Sequence, residues 1–172
     1  MKLSCVAALV LLVPTNALAQ DARPERTPCS APEHRQFDFW IGDWEVRRPD
    51  GEVAGRNVIE PILGGCALRE SWTGAKGMRG TSLNTYSALD GKWHQTWVDE
   101  EGTLLLLSGA LRDGKMVLEG ETPARDDPAR RVRHRITWSP LEDGRVRQLW
   151  ETSPDSGATW NVVFDGTYVP RP

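Results

Sequence analysis

The sequence predicts an all-β domain, an antiparallel up-and-down barrel of about ten strands with a short N-terminal helix capping one end. Three observations predict it. From Gly42 onward, short runs rich in Val, Thr, Trp and Leu alternate with turn signals, and no helical run separates them. Four of those turns read x-Asp-Gly, at 49–51, 89–91, 112–114 and 142–144, the mark of tight hairpins. The stretch "FDFWIGDWEV", Phe37 to Val46, places four aromatic rings around one glycine just ahead of the first strand. Rings so dense on a segment too short to fold alone must dock on a larger body.

The chain opens "MKLSCVAALVLLVPTNALAQ". Lys2 is a positive start, Val6 to Val13 an apolar core, and Ala17-Leu18-Ala19 a small-x-small cleavage site. Residues 1–19 therefore read as a secretory signal peptide, too short to span a membrane. Cys5 precedes the apolar core, so it marks no lipid anchor and leaves with the leader. No second apolar run is long enough for a transmembrane helix. The expected location is periplasmic or secreted. Losing Lys2 takes the formal charge from −3 to −4, because residues 1–19 hold no Asp or Glu. That mild acidity argues against a nucleic-acid partner.

Cys29 and Cys66 remain, and in an exported chain a lone pair is read as a disulfide. Free thiols or metal ligands are the alternative. No other cysteine and no paired histidine supports a metal, so none is assigned.

The elements follow in order. Residues 20–29 are polar and proline-broken, a flexible lead-in to a single domain over 30–172. Ser30 and Glu33 form a capping-box pattern and Pro32 suits a first turn, which predicts a helix from about Ala31 to Phe39. Phe37, Phe39, Trp40, Gly42 and Trp44 are its structural anchors at the barrel base. Strands are expected near 43–48, 53–61, 66–73, 79–88, 92–99, 103–111, 115–121, 131–139, 145–153 and 159–169. Each x-Asp-Gly turn fits a three-residue loop with Gly in the left-handed position, or a two-residue Asp-Gly loop. Side-chain pairing selects three residues for the last one. Arg135 then faces Glu151, Arg133 faces Ser153, Ile136 faces Trp150 and Trp138 faces Gln148. Successive turns of a meander alternate ends. The tight turns at 89–91, 112–114 and 142–144 share one end with the aromatic helix, and the longer loops share the other. The layout is a cup with a closed base and an open mouth.

Gly42-Asp43-Trp44 after a short helix resembles the Gly-x-Trp signature of lipocalin-like proteins. More closely, "HRQFDFWIGDWEV", "GGCALRESW", "KWHQTWVDEEG" and "DGRVRQLWETSPDSGATW" resemble the bacterial family labelled domain of unknown function 1579, over roughly residues 34–169. The resemblance implies a lipocalin-like or nitrobindin-like barrel and no established activity. Nitrobindin-like relatives bind haem through a histidine, so haem is the cofactor the resemblance raises. Neither His94 nor His134 aligns with that ligand, and no cofactor is assigned.

Chemistry is sparse. The segment "SPDSGATW", Ser153 to Trp160, matches the Asp-box of sialidase propellers, but one copy makes no propeller and reads as a turn device. Arg131, Arg133 and Arg135 share one strand face, expected to be solvated; an inward row gripping a carboxylate is the alternative. No HExxH, GxSxG, GxGxxG or phosphate loop occurs. Glu70 and Glu151 are carboxylates that nothing in the spacing brings together. The alternating pattern turns Trp93, Gln95 and Trp97 into the cup, with His134, Trp138, Gln148 and Trp150 facing them, and these seven are the candidate ligand-binding residues. The expectation is a non-catalytic carrier of a small, partly apolar ligand. An enzyme of unknown reaction, a hydrolase or isomerase using the same cavity, is one alternative. A structural or partner-binding envelope protein with a filled barrel is another. A charged, Arg-, Lys- and Glu-bearing outer face excludes an outer-membrane barrel.

Overall fold

The computed structural model describes residues 28–172. The expected signal peptide and the lead-in as far as residue 27 lie outside them. Ten strands form: β1 (Gly42–Arg47), β2 (Val53–Ile62), β3 (Ala67–Gly74), β4 (Arg79–Ser87), β5 (Lys92–Asp99), β6 (Leu104–Arg112), β7 (Lys115–Pro123), β8 (Arg131–Pro140), β9 (Val146–Ser153) and β10 (Asn161–Pro170). Each pairs antiparallel with its sequence neighbour, and β1 closes the ring against β10. Closure leaves no free sheet edge.

The hairpins differ in their loops. At 142–144 the loop has three residues, with Gly144 at φ 77° and the pairs Arg135↔Glu151, Ile136↔Trp150 and Trp138↔Gln148 as expected. The loop at 49–51 matches it, flanked by the Arg48–Glu52 bond and ending on Gly51 at φ 89°. Between β6 and β7 only Asp113 and Gly114 form the loop, at φ 49° and 75°. That double left-handed turn matches the twist of its strands, so the shorter loop wins there. Between β4 and β5 the paired residues are Ser87 and Lys92, so the loop holds four residues, Ala88 to Gly91.

The base plug departs from a continuous capped helix. Two 3₁₀ turns, Pro32–Arg35 and Asp38–Trp40, take its place, and the residue at the first N-cap is Ala31, with no side-chain cap. Bonds of i→i+3 type close them, as in Trp40 N to Phe37 O at 3.1 Å. So short a segment cannot propagate an α-helix, and ring docking decides its path. Phe37 and Trp40 are fully buried and stacked at 4.9 Å, and Phe37 sets its edge or face against Trp93 and Trp138. Phe39 leans on Phe37. The Trp44 indole N–H donates to Trp40 O at 2.9 Å. A Cβ on Gly42 would lie 2.8 Å from the Trp44 ring, which is why this position is glycine. The Cys29–Cys66 disulfide ties the plug to the start of β3, and Arg35 donates to Gly65 O beside it.

The outer face is laced with cross-strand ion pairs: Arg56–Asp43, Arg147–Asp165 and Arg135–Glu151. Arg133 reaches toward Glu119 and Glu121, and the Arg135 guanidinium stacks 4.0 Å from the Trp160 ring. The arginines therefore face outward. Among the described residues no helix is long and apolar enough to cross a membrane. The Asp-box is a turn device: Asp155 accepts from the Thr159 amide and hydroxyl at 2.8 and 2.6 Å, and Ser153 Oγ accepts from the Gly157 amide at 2.7 Å. The Thr159 hydroxyl and amide, with the Ser153 hydroxyl donating to Asp155 Oδ1 at 2.8 Å, hold the Asp155 carboxyl down at about 2.

Candidate functional site: an aromatic cup over a polar floor

Strand alternation sends every second side chain inward. Above the plug this leaves a cavity of about 190 Å³. Trp72, Trp97, Trp150 and Phe164 form most of its wall, and Trp138 lies below. Three of the wall rings sit against glycine on a neighbouring position. A Cβ on Gly55 would meet Trp72 at 2.8 Å, one on Gly80 would meet Trp97 at 2.3 Å, and one on Gly166 would meet Phe164 at 2.6 Å. The absent side chains make room for the rings to lie back along the sheet. A bulge in β10 between Val162 and Phe164 keeps Phe164 on the inner face, where it meets Trp72 edge-on at 6.2 Å. Toward the long loops a wider recess of about 530 Å³ shares Leu105 and Trp150 with the cavity and adds Thr103, Arg125 and His134.

The cavity floor is a chain of hydrogen bonds across six strands. Tyr168 on β10 donates to Gln148 Oε1 on β9 and accepts from Asn57 Nδ2 on β2 at 3.2 Å. Asn57 Nδ2 also donates to Glu70 Oε1 on β3 at 2.7 Å. Ser82 on β4 donates to Glu70 Oε2 at 2.6 Å. Asn84 donates to Ser82 Oγ at 2.9 Å, and Gln95 on β5 donates to Asn84 Oδ1 at 2.7 Å. Glu70, Asn57, Ser82, Asn84 and Gln95 are all buried. Burial pushes the Glu70 carboxyl up, against the lowering effect of the Ser82 and Asn57 bonds. Burial likewise drives Tyr168 well above its ordinary value, with the nearby Glu70 charge adding to it. Asn57 Oδ1 has no partner among the described residues.

Of the seven candidate ligand-binding residues, Gln95, Trp97, Trp138, Gln148 and Trp150 line the cavity. His134 lies at the outer recess beside Trp150. Trp93 does not reach the cavity: it is buried in the plug against Phe37, with its indole N–H on Gln36 Oε1 at 3.3 Å. It has the inward parity, but it lies one turn from the base, and parity carries no information on height along the axis. The floor residues Asn57, Ser82 and Asn84 are not among the residues the sequence singles out, and Glu70 stands there only as a carboxylate without a partner. In "LRESW" the alternation does place Leu68, Glu70 and Trp72 on one face, and two apolar neighbours flanking a Glu at i±2 is the signal. Glu70 and Glu151 lie on opposite sides of the wall, one inside and one paired to Arg135 outside.

A scan against protein-family models matches none, and a search of curated proteins finds no matching relative. His134 and His94 do not fit a haem ligand. The Trp150 indole donates to His134 Nδ1 at 3.2 Å, so Nε2 carries the proton and donates to Thr122 Oγ1 at 2.9 Å. Burial pushes His134 below its ordinary value and keeps it neutral. His94 is exposed outside the barrel against Asp90 at 2.8 Å. Among the described residues no group of three or more His, Cys, Asp or Glu is placed to hold a metal.

Proposed function

We propose that the chain is an exported, non-catalytic binding protein that holds a small, partly apolar molecule inside its barrel. One observation carries the reading: an aromatic-walled cavity of about 190 Å³ ends on a floor of buried polar groups. Apolar walls supply affinity and a few fixed polar groups supply orientation. A buried polar floor is costly as mere filler, because each group must find a partner within the fold. Export rests on the leader-like residues 1–19, and the Cys29–Cys66 bridge suits an oxidising compartment. The resemblance to the family labelled domain of unknown function 1579 belongs to the same proposal.

Native mass spectrometry of the protein purified from its producing cells tests it. A retained small-molecule mass, absent from a Trp97→Arg variant that fills the cup, supports binding. Wild type that carries no extra mass, and takes up none from a small-molecule extract of those cells, counts against it. A second reading has its own observation: Glu70, a buried acid with a raised pKa, is coupled through Asn57 to Tyr168. Such an arrangement suits proton transfer in a hydrolase or isomerase. Chemical conversion of the retained molecule on incubation would favour it.

A further inference from the structure

We infer that the cavity selects a lipophilic amine, bound as its ammonium ion with Glu70 as the counter-ion. This rests on the binding reading above and names the chemical class of the ligand. The directions of the floor's hydrogen bonds point to it. Gln148 Oε1 can only accept, so the Tyr168 hydroxyl donates to it and must accept from Asn57. Asn57 Nδ2 then spends both hydrogens, on Tyr168 and on Glu70. Ser82 Oγ accepts from Asn84, so its single hydrogen goes to Glu70. Both donors converge on one carboxyl group, and neither carboxyl oxygen has an acceptor partner to receive a proton from it. The floor is wired for a carboxylate.

Nothing in the cavity balances that charge. Among the described residues lining it, Glu70 is the one ionisable group, and no Lys or Arg is present. Gln95 spends its N–H on Asn84 Oδ1, which leaves its carbonyl oxygen as a further acceptor at the cavity. A donating ligand head group thus meets two acceptors, the Glu70 carboxyl and the Gln95 carbonyl oxygen, of which Glu70 alone can carry charge. The walls point the same way. The faces of tryptophan and phenylalanine attract cations and repel anions, and most of the wall is such rings. The donors at the lining, the Trp138 indole N–H and the Gln148 amide, are neutral, so a carboxylate or phosphate would find no cation to balance it and would face the Glu70 charge. A neutral apolar body would fit the walls but leave the floor unanswered. The ammonium keeps its proton and faces the Glu70 carboxylate.

Isothermal titration of the full-length mature protein with 2-phenylethylamine, 2-phenylethanol and 3-phenylpropionate tests this. The three probes share one ring and differ in the head group. The expected order is amine over alcohol over carboxylate, with the amine preferred by about tenfold or more, the scale of a desolvated cation over aromatic faces. Glu70→Gln should abolish the preference, read as the ratio of amine to alcohol affinity within the variant. The order of the three probes is read on the wild type, so it decides even if the variant fails to fold. Equal binding of amine and alcohol overturns the amine assignment and leaves the binding reading standing. A preference for the carboxylate, or a preference for amine that survives in folded Glu70→Gln, also overturns it. Binding of none of the three sinks the amine assignment and counts against the cup as a ligand site.

Discussion

Replacing Glu70 by Gln keeps the size of the side chain and removes its titration. In the folded wild type, burial holds the carboxyl above its ordinary value of 4.5. Above that pH the folded chain keeps a proton that the unfolded chain has lost. The group's contribution is therefore fully present below the unfolded pKa, falls as pH rises, and levels off once pH passes the folded pKa. One proton of difference limits the slope to about 1.4 kcal/mol per pH unit. Glutamine has no such slope but carries a constant cost. Its amide N–H₂ must face Asn57 Nδ2 or the Ser82 hydroxyl, both of which donate to Glu70. One frustrated contact of this kind costs about 1–3 kcal/mol. Urea unfolding of both proteins from about pH 4 to about pH 9 measures the difference at each pH. The variant should be the less stable at the acid end, and its deficit should shrink as pH rises above 4.5 before flattening. His134, pushed down by burial, and the ion-paired aspartates titrate alike in both proteins and cancel. A difference independent of pH would mean that Glu70 binds its proton equally in folded and unfolded chains, and the account of the floor would be wrong.

Cys29→Ser should cost about 3–4 kcal/mol in chemical unfolding, from releasing a loop spanning 37 residues in the chain-entropy picture, and reducing agent should reproduce it in the wild type. Trp40→Ala removes a fully buried ring that touches Phe37, Trp138 and Tyr168; it should cost about 3–5 kcal/mol by urea titration and weaken the near-ultraviolet dichroism of the plug. Asp155→Ala should leave global unfolding nearly unchanged but speed amide exchange at Gly157 and Thr159, since Asp155 and Ser153 hold that turn. Lowering the pH through about 2 should loosen the same turn in the wild type: the depressed carboxyl stabilises it above its unfolded value of 3.8 and loses that effect as it protonates.

The barrel was readable because its evidence repeats. Period-two runs, turn residues and cross-strand charge at Arg135–Glu151 each specify the same pairing, and a one-residue slip would invert all of them together. The helical plug was readable as a docked aromatic segment but not in its detail. The capping box at Ser30 and Glu33 is a local preference, and ring packing of Phe37 and Trp40 overrode it. Of the cup, the large inward residues stood out and the small polar ones did not. Ser82, Asn84 and Asn57 are side chains that also suit a solvated face, so only strand parity distinguishes them. Height along the axis was beyond reach, because it depends on strand tilt and stagger around the closed ring. Trp93 thus has the parity of a cup residue and the height of a plug residue.

Ligand binding requires an accessible apolar space above the Glu70 floor. Crystals soaked with benzene or pressurised with xenon test it most directly, because apolar cavities near about 150 Å³ take up both. Density is expected among Trp72, Trp97, Trp150 and Phe164, in contact with the rings and above Glu70. Rings collapsed onto one another with no guest density would contradict it.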